Sequence, residues 1–301
     1  MPGEVAALSA AALWAVSTVM LTAETRKLGA IRLNALRSAF AALFLIAAVV
    51  ATGAMDEVRD MNAATAIAMV GSGVLAMGVG DSLYFASLAI IGAALAVPIS
   101  ISVYPLLTFL IAAFWLDEEI TWRVLLGTAL IVAGVSLLVR GGSARERQFL
   151  ETQPTFAHRR PGWQIGLFLI LLASVAWAIS TTWLRAGSGD LGPVAAAGVR
   201  VAATSAALMP VAYYLRKGVL PHGYGWRGLT ATAAGGILGI GLGSIAYVFA
   251  VQEAGAGKTA ILTSTLPLFA LPLAVIFLHE RINLLVILGT LLCILGIWLV
   301  A

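Results

Sequence analysis

One stretch of the chain occurs twice, and this repeat limits the possible folds more than any other feature. Residues 78–138 match residues 241–300 at a spacing of 163, which becomes 162 after a one-residue deletion. The shared identities include Gly78, Gly80, Tyr84, Pro105, Glu118 and Gly127, which match Gly241, Gly243, Tyr247, Pro267, Glu280 and Gly289. Because freely varying apolar residues separate these identities, low sequence complexity does not explain them. The sequence therefore predicts a duplicated protein.

The composition indicates that the solvent of this protein is lipid. The 301 residues are 61% hydrophobic and only 11% charged, whereas a soluble domain carries about a quarter charged residues. So few charges cannot cover a water-exposed surface of this size, so we expect an all-α integral membrane protein whose partner is the lipid bilayer. The basic residues are spread among loops without a basic stripe, which argues against a nucleic-acid partner.

Ten apolar segments are long enough to cross the hydrocarbon core, five in each copy. The predicted organisation is a first five-helix repeat over residues 1–139, a polar linker over 140–162 and a second five-helix repeat over 163–301; the two repeats are called the first and second halves below. Because five is odd, the second half must be inverted relative to the first. The expected fold is therefore ten transmembrane helices as two inverted repeats around a central cavity.

The loop charges test this arrangement independently. The excess of Lys and Arg changes sides between equivalent loops of the two halves, as inversion requires. Lys and Arg are also more numerous in the loops opposite the termini. By the positive-inside rule, this distribution predicts that both termini lie outside the cytoplasm.

Three charged residues fall well inside predicted spans: Arg37, Asp81 and Arg200. Charges in hydrocarbon are expensive, so each is a functional candidate. The two arginines are equivalent and would line the cavity for an anionic or zwitterionic substrate; alternatively, they snorkel to the interface or cap backbone carbonyls. Asp81 has no acidic counterpart, because Ser244 occupies the equivalent position. Asp81 is therefore a candidate for ion coupling or substrate contact, with a fixed ion pair to Arg37 as the alternative.

Aromatic and hydroxyl side chains provide further cavity candidates. Prolines such as Pro105 and Pro267 interrupt the fourth and ninth spans, and bent helices expose carbonyls that need polar partners. The alternatives are plain packing for the rings and local bonding to the helix backbone for the hydroxyls. The substrate-binding candidates are Trp14, Tyr84, Ser100, Ser102, Tyr104, Trp177, Tyr247, Thr263 and Thr265.

The remaining polar features favour structure over catalysis. Glu118 and Glu280 end the fourth and ninth spans and are expected to bond to backbone amides at the start of the next helix, with a role in gating as the alternative. The sequence Gly-Val-Gly-Asp at residues 78–81 matches that of intramembrane aspartyl proteases, but no second acid lies within a span. No metal-ligand cluster or cofactor loop is visible, so we expect neither an enzyme nor a bound metal or cofactor.

In this context the sequence resembles the EamA-like branch of the drug/metabolite transporter superfamily. The resemblance covers nearly the whole chain and consists of Trp14 and Trp177, Arg37 and Arg200, and the runs 116–120 and 278–282 with the glycines that follow them. It implies a ten-helix carrier with alternating access that exports or exchanges small metabolites such as amino acids.

The expected function is therefore alternating-access transport of a small-molecule substrate by a multi-pass protein of the cell membrane. A passive channel or facilitator is the main alternative, followed by an intramembrane enzyme or a scaffold. The resemblance implies cytoplasmic termini, as in many characterised members of that family, which is the opposite of the orientation that the loop charges predict. The sequence leaves the oligomeric state open, with a monomer as the working assumption.

Overall fold

The computed structural model describes residues 2–91, 93–119, 121–141, 162–216, 223–270 and 284–300, and residues 218, 220 and 273 besides. Residues 142–161 of the predicted linker, and Glu280, lie outside the described residues. The elements below are all helical. They are α1 (Pro2–Leu28), α2 (Ala30–Ala51), α3 (Met55–Arg59), α4 (Ala63–Gly73), α5 (Asp81–Ile91), α6 (Ala93–Trp115), α7 (Trp122–Gly141), α8 (Trp163–Gly187), α9 (Pro193–Arg216), α10 (Trp226–Gly236), α11 (Gly243–Ala254), α12 (Ala256–Thr263) and α13 (Leu284–Val300).

The helices have the length and surface of membrane spans. Within the described residues, six spans are long and apolar enough to cross a bilayer; α4 with α5, and α10 with α11, each form one of them. Three shorter apolar helices lie at Ile99–Trp115, Trp122–Leu137 and Leu284–Val300. Large apolar side chains such as Phe114, Tyr214 and Trp298 are more than 70% exposed. Such a surface suits lipid and would be unfavourable in water.

Contacts between the two halves come in equivalent pairs. The helix α1 packs on α11, and the equivalent α8 packs on α5. The Ser17 hydroxyl donates to the Gly235 carbonyl oxygen and the Ser180 hydroxyl to that of Ser72, each at 2.7 Å. Each residue of the second bond is 163 positions from its counterpart in the first, so the repeat seen in the sequence is also a repeat of contacts. We call the surface where α1, α2, α4, α5 and α6 meet α8, α9, α10, α11 and α12 the seam.

Glycines set the spacing across the seam. A Cβ atom on Gly73 would lie 2.5 Å from the Arg200 carbonyl oxygen, and one on Gly80 would lie 2.6 Å from the indole nitrogen of Trp177. Their counterparts Gly236 and Gly243 meet the backbone of Arg37 and the indole of Trp14 in the same way. Larger residues would therefore separate the helices that hold the arginines and tryptophans.

Two pairs of equivalent helices run antiparallel to each other. In α7 and α13, Gly127 lies against Gly296, and Gly134 lies against Gly289, so one sequence rises as the other falls. The helices α2 and α9 follow the same pattern. Val49 lies next to Gly198 near one end of this pair, and Ala35 packs with Leu208 and Ala212 near the other.

A π-helical segment interrupts the long span in each half. These segments are Val74–Gly80, between α4 and α5, and Ile237–Leu242, between α10 and α11. A π turn shifts hydrogen bonds from i+4 to i+5 and leaves carbonyl groups with weakened helical bonds. Both segments lie beside the seam, so they bring backbone polar groups close to the candidate site.

Candidate functional site

The first part of the site is a half-buried ion pair. Arg37, on α2, donates from Nη2 to Oδ2 of Asp81 at 2.9 Å, and the two side chains are 17% and 22% exposed. Trp177 of the second half donates from Nε1 to the other carboxylate oxygen, Oδ1, at 3.1 Å. This ion pair is the alternative considered for Asp81 from the sequence. It also joins one half to the other, because the indole reaches across the seam.

Asn34 connects this ion pair to the π-helical segment. Its Oδ1 accepts a hydrogen bond from Arg37 Nε at 2.9 Å, and its Nδ2 donates to the Met77 carbonyl oxygen at 3.0 Å. The arginine is therefore fixed by two hydrogen bonds, one to a charge and one to an amide. Sequence reasoning missed Asn34, although its position one turn before Arg37 was an available signal.

Arg200 occupies the equivalent position in the second half but has different partners. It is only 3% exposed, and Nη1 donates to the Ser72 hydroxyl across the seam. Ser72 donates in turn to the Met69 carbonyl oxygen at 3.2 Å. Within the described residues, no carboxylate lies within ion-pair distance of Arg200. Both arginines donate to partners inside the protein, Asp81 and Ser72, whereas the snorkelling considered from the sequence would extend them to the exposed surface.

Three hydroxyl groups meet at the centre of the seam. The Thr181 hydroxyl lies 2.7 Å from that of Tyr247, and the Tyr104 hydroxyl lies 3.2 Å from both. We call these three residues the hydroxyl cluster. The Arg200 guanidinium is within electrostatic range of Tyr104 and Tyr247. Sequence reasoning missed Thr181, which lies one helical turn after Trp177 on the same face of α8.

The predicted aromatic residues surround these polar groups. The ring of Trp14 lies 5.4 Å from that of Tyr247, centroid to centroid, and Trp177 lies 5.4 Å from Tyr84. Trp177 also meets Tyr104 edge to face at 5.9 Å. Tilted and edge-to-face contacts at these distances are favourable for aromatic pairs. The five rings form continuous walls along the seam.

The other predicted hydroxyls bond mainly to their own helices. Ser100 donates to Val97 at 2.9 Å, and Thr265 donates to Leu262 at 2.6 Å. Thr263 donates to Thr259 at 2.8 Å and also interacts with the Tyr104 hydroxyl. Ser102 is half-buried on α6. Local bonding, the alternative considered from the sequence, therefore accounts for Ser100 and Thr265, whereas Thr263 also borders the hydroxyl cluster.

Glu118 caps a helix, but not the one expected. Its two carboxylate oxygens accept from the amides of Ala256 and Gly257 at 2.7 and 3.0 Å. These are the first amides of α12, in the second half, whereas the sequence predicted bonding to the next helix, α7. The expectation was wrong about the partner because α12 begins after Gly255, which has no side chain to cap it.

A cavity of about 730 Å³ lies between the halves on the side of the termini. Its charged lining residues are Glu118, Glu119, Arg123, Arg185, Glu253 and Lys258. Arg185 follows Thr181 of the hydroxyl cluster by one helical turn on α8, about 6 Å along the helix axis. No group of three or more metal-ligating side chains occurs in the described part of the chain.

Comparisons with known proteins cover nearly the whole chain. The model of the EamA-like transporter family matches residues 1–140 and 164–301. A transporter from Archaeoglobus fulgidus, itself uncharacterized, is 26% identical over 292 residues, which are 97% of this chain and 95% of that protein. A crystal structure of a protein with 20% identity superposes with a TM-score of 0.79 over 99% of this chain and 95% of its own. At that identity the likeness shows the fold alone.

Proposed function

Because the chain belongs to the EamA-like transporter family, and is thus a multi-pass membrane transporter, we propose that it works by alternating access on a small metabolite. The substrate is an amino acid or a related compound, and the protein exports or exchanges it across the cell membrane. Ten spans form two inverted five-helix repeats, with the substrate held at the seam between them.

The antiparallel packing of equivalent helices supports the inverted arrangement. Helices related by a two-fold axis in the membrane plane must point in opposite directions, as α7 and α13 do, and as α2 and α9 do. In such proteins, the two halves can exchange conformations and thereby open the site to the other side. The contact of α1 with α11 is equivalent to that of α8 with α5, so each half offers the other a comparable interface.

One observation carries the proposal: charged and hydroxyl groups are concentrated at the seam, within spans that are otherwise apolar. Arg37 with Asp81, and Arg200 with the hydroxyl cluster, lie at this interface rather than at the lipid surface. Polar groups at membrane depth are costly and mark pathways for substrates or ions. The aromatic walls suit the apolar part of an amphipathic metabolite.

The cavity on the side of the termini is the proposed entrance. Its volume of about 730 Å³ falls within the range of small-molecule sites, about 300–1,000 Å³. It is lined by α6 and α7 of one half and by α8, α11, α12 and α13 of the other. A substrate that enters there reaches the hydroxyl cluster first and Arg200 beside it.

Counterflow in proteoliposomes tests this function. Vesicles loaded with one unlabelled amino acid or organic acid should accumulate the labelled compound transiently and saturably. Tyr247→Phe removes a hydroxyl from the cluster and should reduce the rate, whereas Tyr214→Phe, at an 80% exposed position, should not. Flux without counterflow would instead indicate a channel and refute alternating access.

Asp81 is the proposed coupling residue. It is the acid of the seam ion pair and has no acidic counterpart in the other half, so its protonation would release Arg37 and Trp177 together. Asp81→Asn should abolish the pH dependence of transport, and Asp81→Glu should restore it in part. An Asp81→Asn rate and pH profile equal to those of the wild type would exclude this role.

A further inference from the structure

We propose that the substrate carries a single carboxylate or similar oxyanion, which binds beside Arg200 where the first half has the carboxylate of Asp81. This inference rests on the transport function proposed above and specifies the chemistry of the substrate. In the first half the position is filled by the protein itself, through Asp81. In the second half it is left to the ligand.

The two arginines differ in their counter-charge. Arg37 has the Asp81 carboxylate at 2.9 Å. Arg200 is more deeply buried, at 3% exposed, and its hydrogen bond goes to the neutral hydroxyl of Ser72. A buried cation without an anion is unfavourable in a medium of low dielectric constant. A bound anion would supply the missing charge.

The difference arises from a single position in the repeat. Ser244 is 163 residues after Asp81, lies on α11 and is buried. It lies one turn before Tyr247, whose hydroxyl is within electrostatic range of the Arg200 guanidinium. A serine is shorter than an aspartate and uncharged. It offers a hydroxyl donor at the position where the first half has a carboxylate.

Trp14 supplies a second donor at the same position. In the first half, Nε1 of Trp177 lies against Gly80 and donates to Asp81. In the second half, Nε1 of Trp14 lies against Gly243 in the same way. The structure gives that nitrogen no acceptor among the described residues. An oxyanion would therefore meet a guanidinium, an indole N–H and a hydroxyl, a set close to the one that holds Asp81.

The charge of the ligand follows from the charges of the site. Of the two arginines that lie well inside the spans, Arg200 is the one without a carboxylate partner among the described residues, since Arg37 is neutralised by Asp81. One free positive charge matches one negative charge. A dianion would bring a second charge into the apolar seam without a partner. Bidentate contact with a guanidinium is also the geometry that a carboxylate prefers.

Binding of benzoate to the purified full-length chain, measured by calorimetry, tests the inference. The uncharged isostere benzamide is the control ligand. Benzoate should bind at least tenfold more tightly than benzamide, with one site per chain. Equal binding of the two, or no binding of benzoate, would overturn the proposal.

Variants at Ser244 locate the site. Ser244→Asp places an internal carboxylate beside Arg200 and should weaken benzoate binding at least tenfold, whereas Ser244→Asn, of the same size but uncharged, should retain binding. Equal affinity of the two variants would contradict the inference.

The reciprocal exchange provides a test that does not depend on the folding of Ser244→Asp. Asp81→Ser releases Arg37 and should raise the benzoate stoichiometry from one to two, and an unchanged stoichiometry would count against the proposal.

The proteoliposome assay separates this inference from the proposed transport function. Counterflow of a neutral or cationic metabolite without benzoate binding would overturn the anion site and leave the transporter. Benzoate binding without any counterflow would support the anion site and overturn transport.

Discussion

The cap that Glu118 provides to α12 is a contact between the halves whose contribution can be measured. The substitution Glu118→Gln keeps the length of the side chain but removes its charge and replaces one acceptor oxygen with an amide donor. Of the two bonds, to Ala256 N at 2.7 Å and to Gly257 N at 3.0 Å, only one can survive. The other backbone amide then faces an NH₂ group.

The magnitude follows from these two bonds. A hydrogen bond to a charged group contributes about 1.5–3 kcal/mol, and a negative charge at a helix N-terminus about 0.3–1 kcal/mol. Because Glu118 lines an open cavity, water replaces part of the loss. We therefore expect a loss of about 2 kcal/mol, which corresponds to a fall in Tm of roughly 4–8 °C at about 2–4 °C per kcal/mol.

The measurement is thermal unfolding in detergent at a fixed scan rate, followed by tryptophan fluorescence. Glu119→Gln is the matched control, because Glu119 has the same chemistry, lines the same cavity and is exposed. Its Tm should equal that of the wild type. Glu118→Ala removes both acceptors and should lower the Tm further. If Glu118→Gln and Glu119→Gln unfold at the same temperature, the cap does not stabilise the fold.

Three further predictions concern other contacts. Asp81→Asn leaves Arg37 without its counter-charge and should lower the free energy of unfolding by about 3 kcal/mol, measured through the Tm. Adding Arg37→Gln should recover most of this loss, and no recovery would refute the pairing of the two residues. Gly134→Leu should force α7 away from α13, because Gly134 lies against the single cysteine, Cys293, and the Gly289 carbonyl oxygen; the Tm of the variant should therefore fall below that of the wild type, and an unchanged Tm would count against this packing. The hydrogen bond from Lys27, aided by that from Tyr224, holds the pKa of Glu24 below its ordinary 4.5 despite burial. The stabilising contribution of Glu24 is therefore complete above pH 4.5, and it is lost as the pH falls through the lower pKa of the folded state. Stability should therefore decline in acid and the decline should be shallower in Glu24→Gln; an unchanged acid profile would contradict the assigned shift.

The repeat in the sequence was informative because it compares each residue with its counterpart. The match of Arg37 with Arg200 and of Trp14 with Trp177 indicates seam residues from the sequence alone. The mismatch of Asp81 with Ser244 identified where the two halves differ chemically. Such comparisons do not depend on helix boundaries, which a single sequence defines poorly.

Other parts of the site depend on geometry that the sequence does not encode locally. The role of Asn34 depends on a π turn at Met77 in another helix. Glu118 was assigned to the neighbouring helix because sequence spacing indicates only nearby partners, whereas its amides lie 138 and 139 residues away. Contacts across the seam need the docked halves, and local propensity cannot supply them.

The close packing of α7 with α13 has a mechanical consequence. Glycine at four positions brings the two backbones together over about two helical turns, from Gly127 against Gly296 to Gly134 against Gly289. Helices in such contact cannot slide past each other without collision, but they can roll about their common line. In the alternating-access cycle proposed above, the other helices of each half would then rotate about this helix pair. The pair itself would stay assembled throughout that cycle.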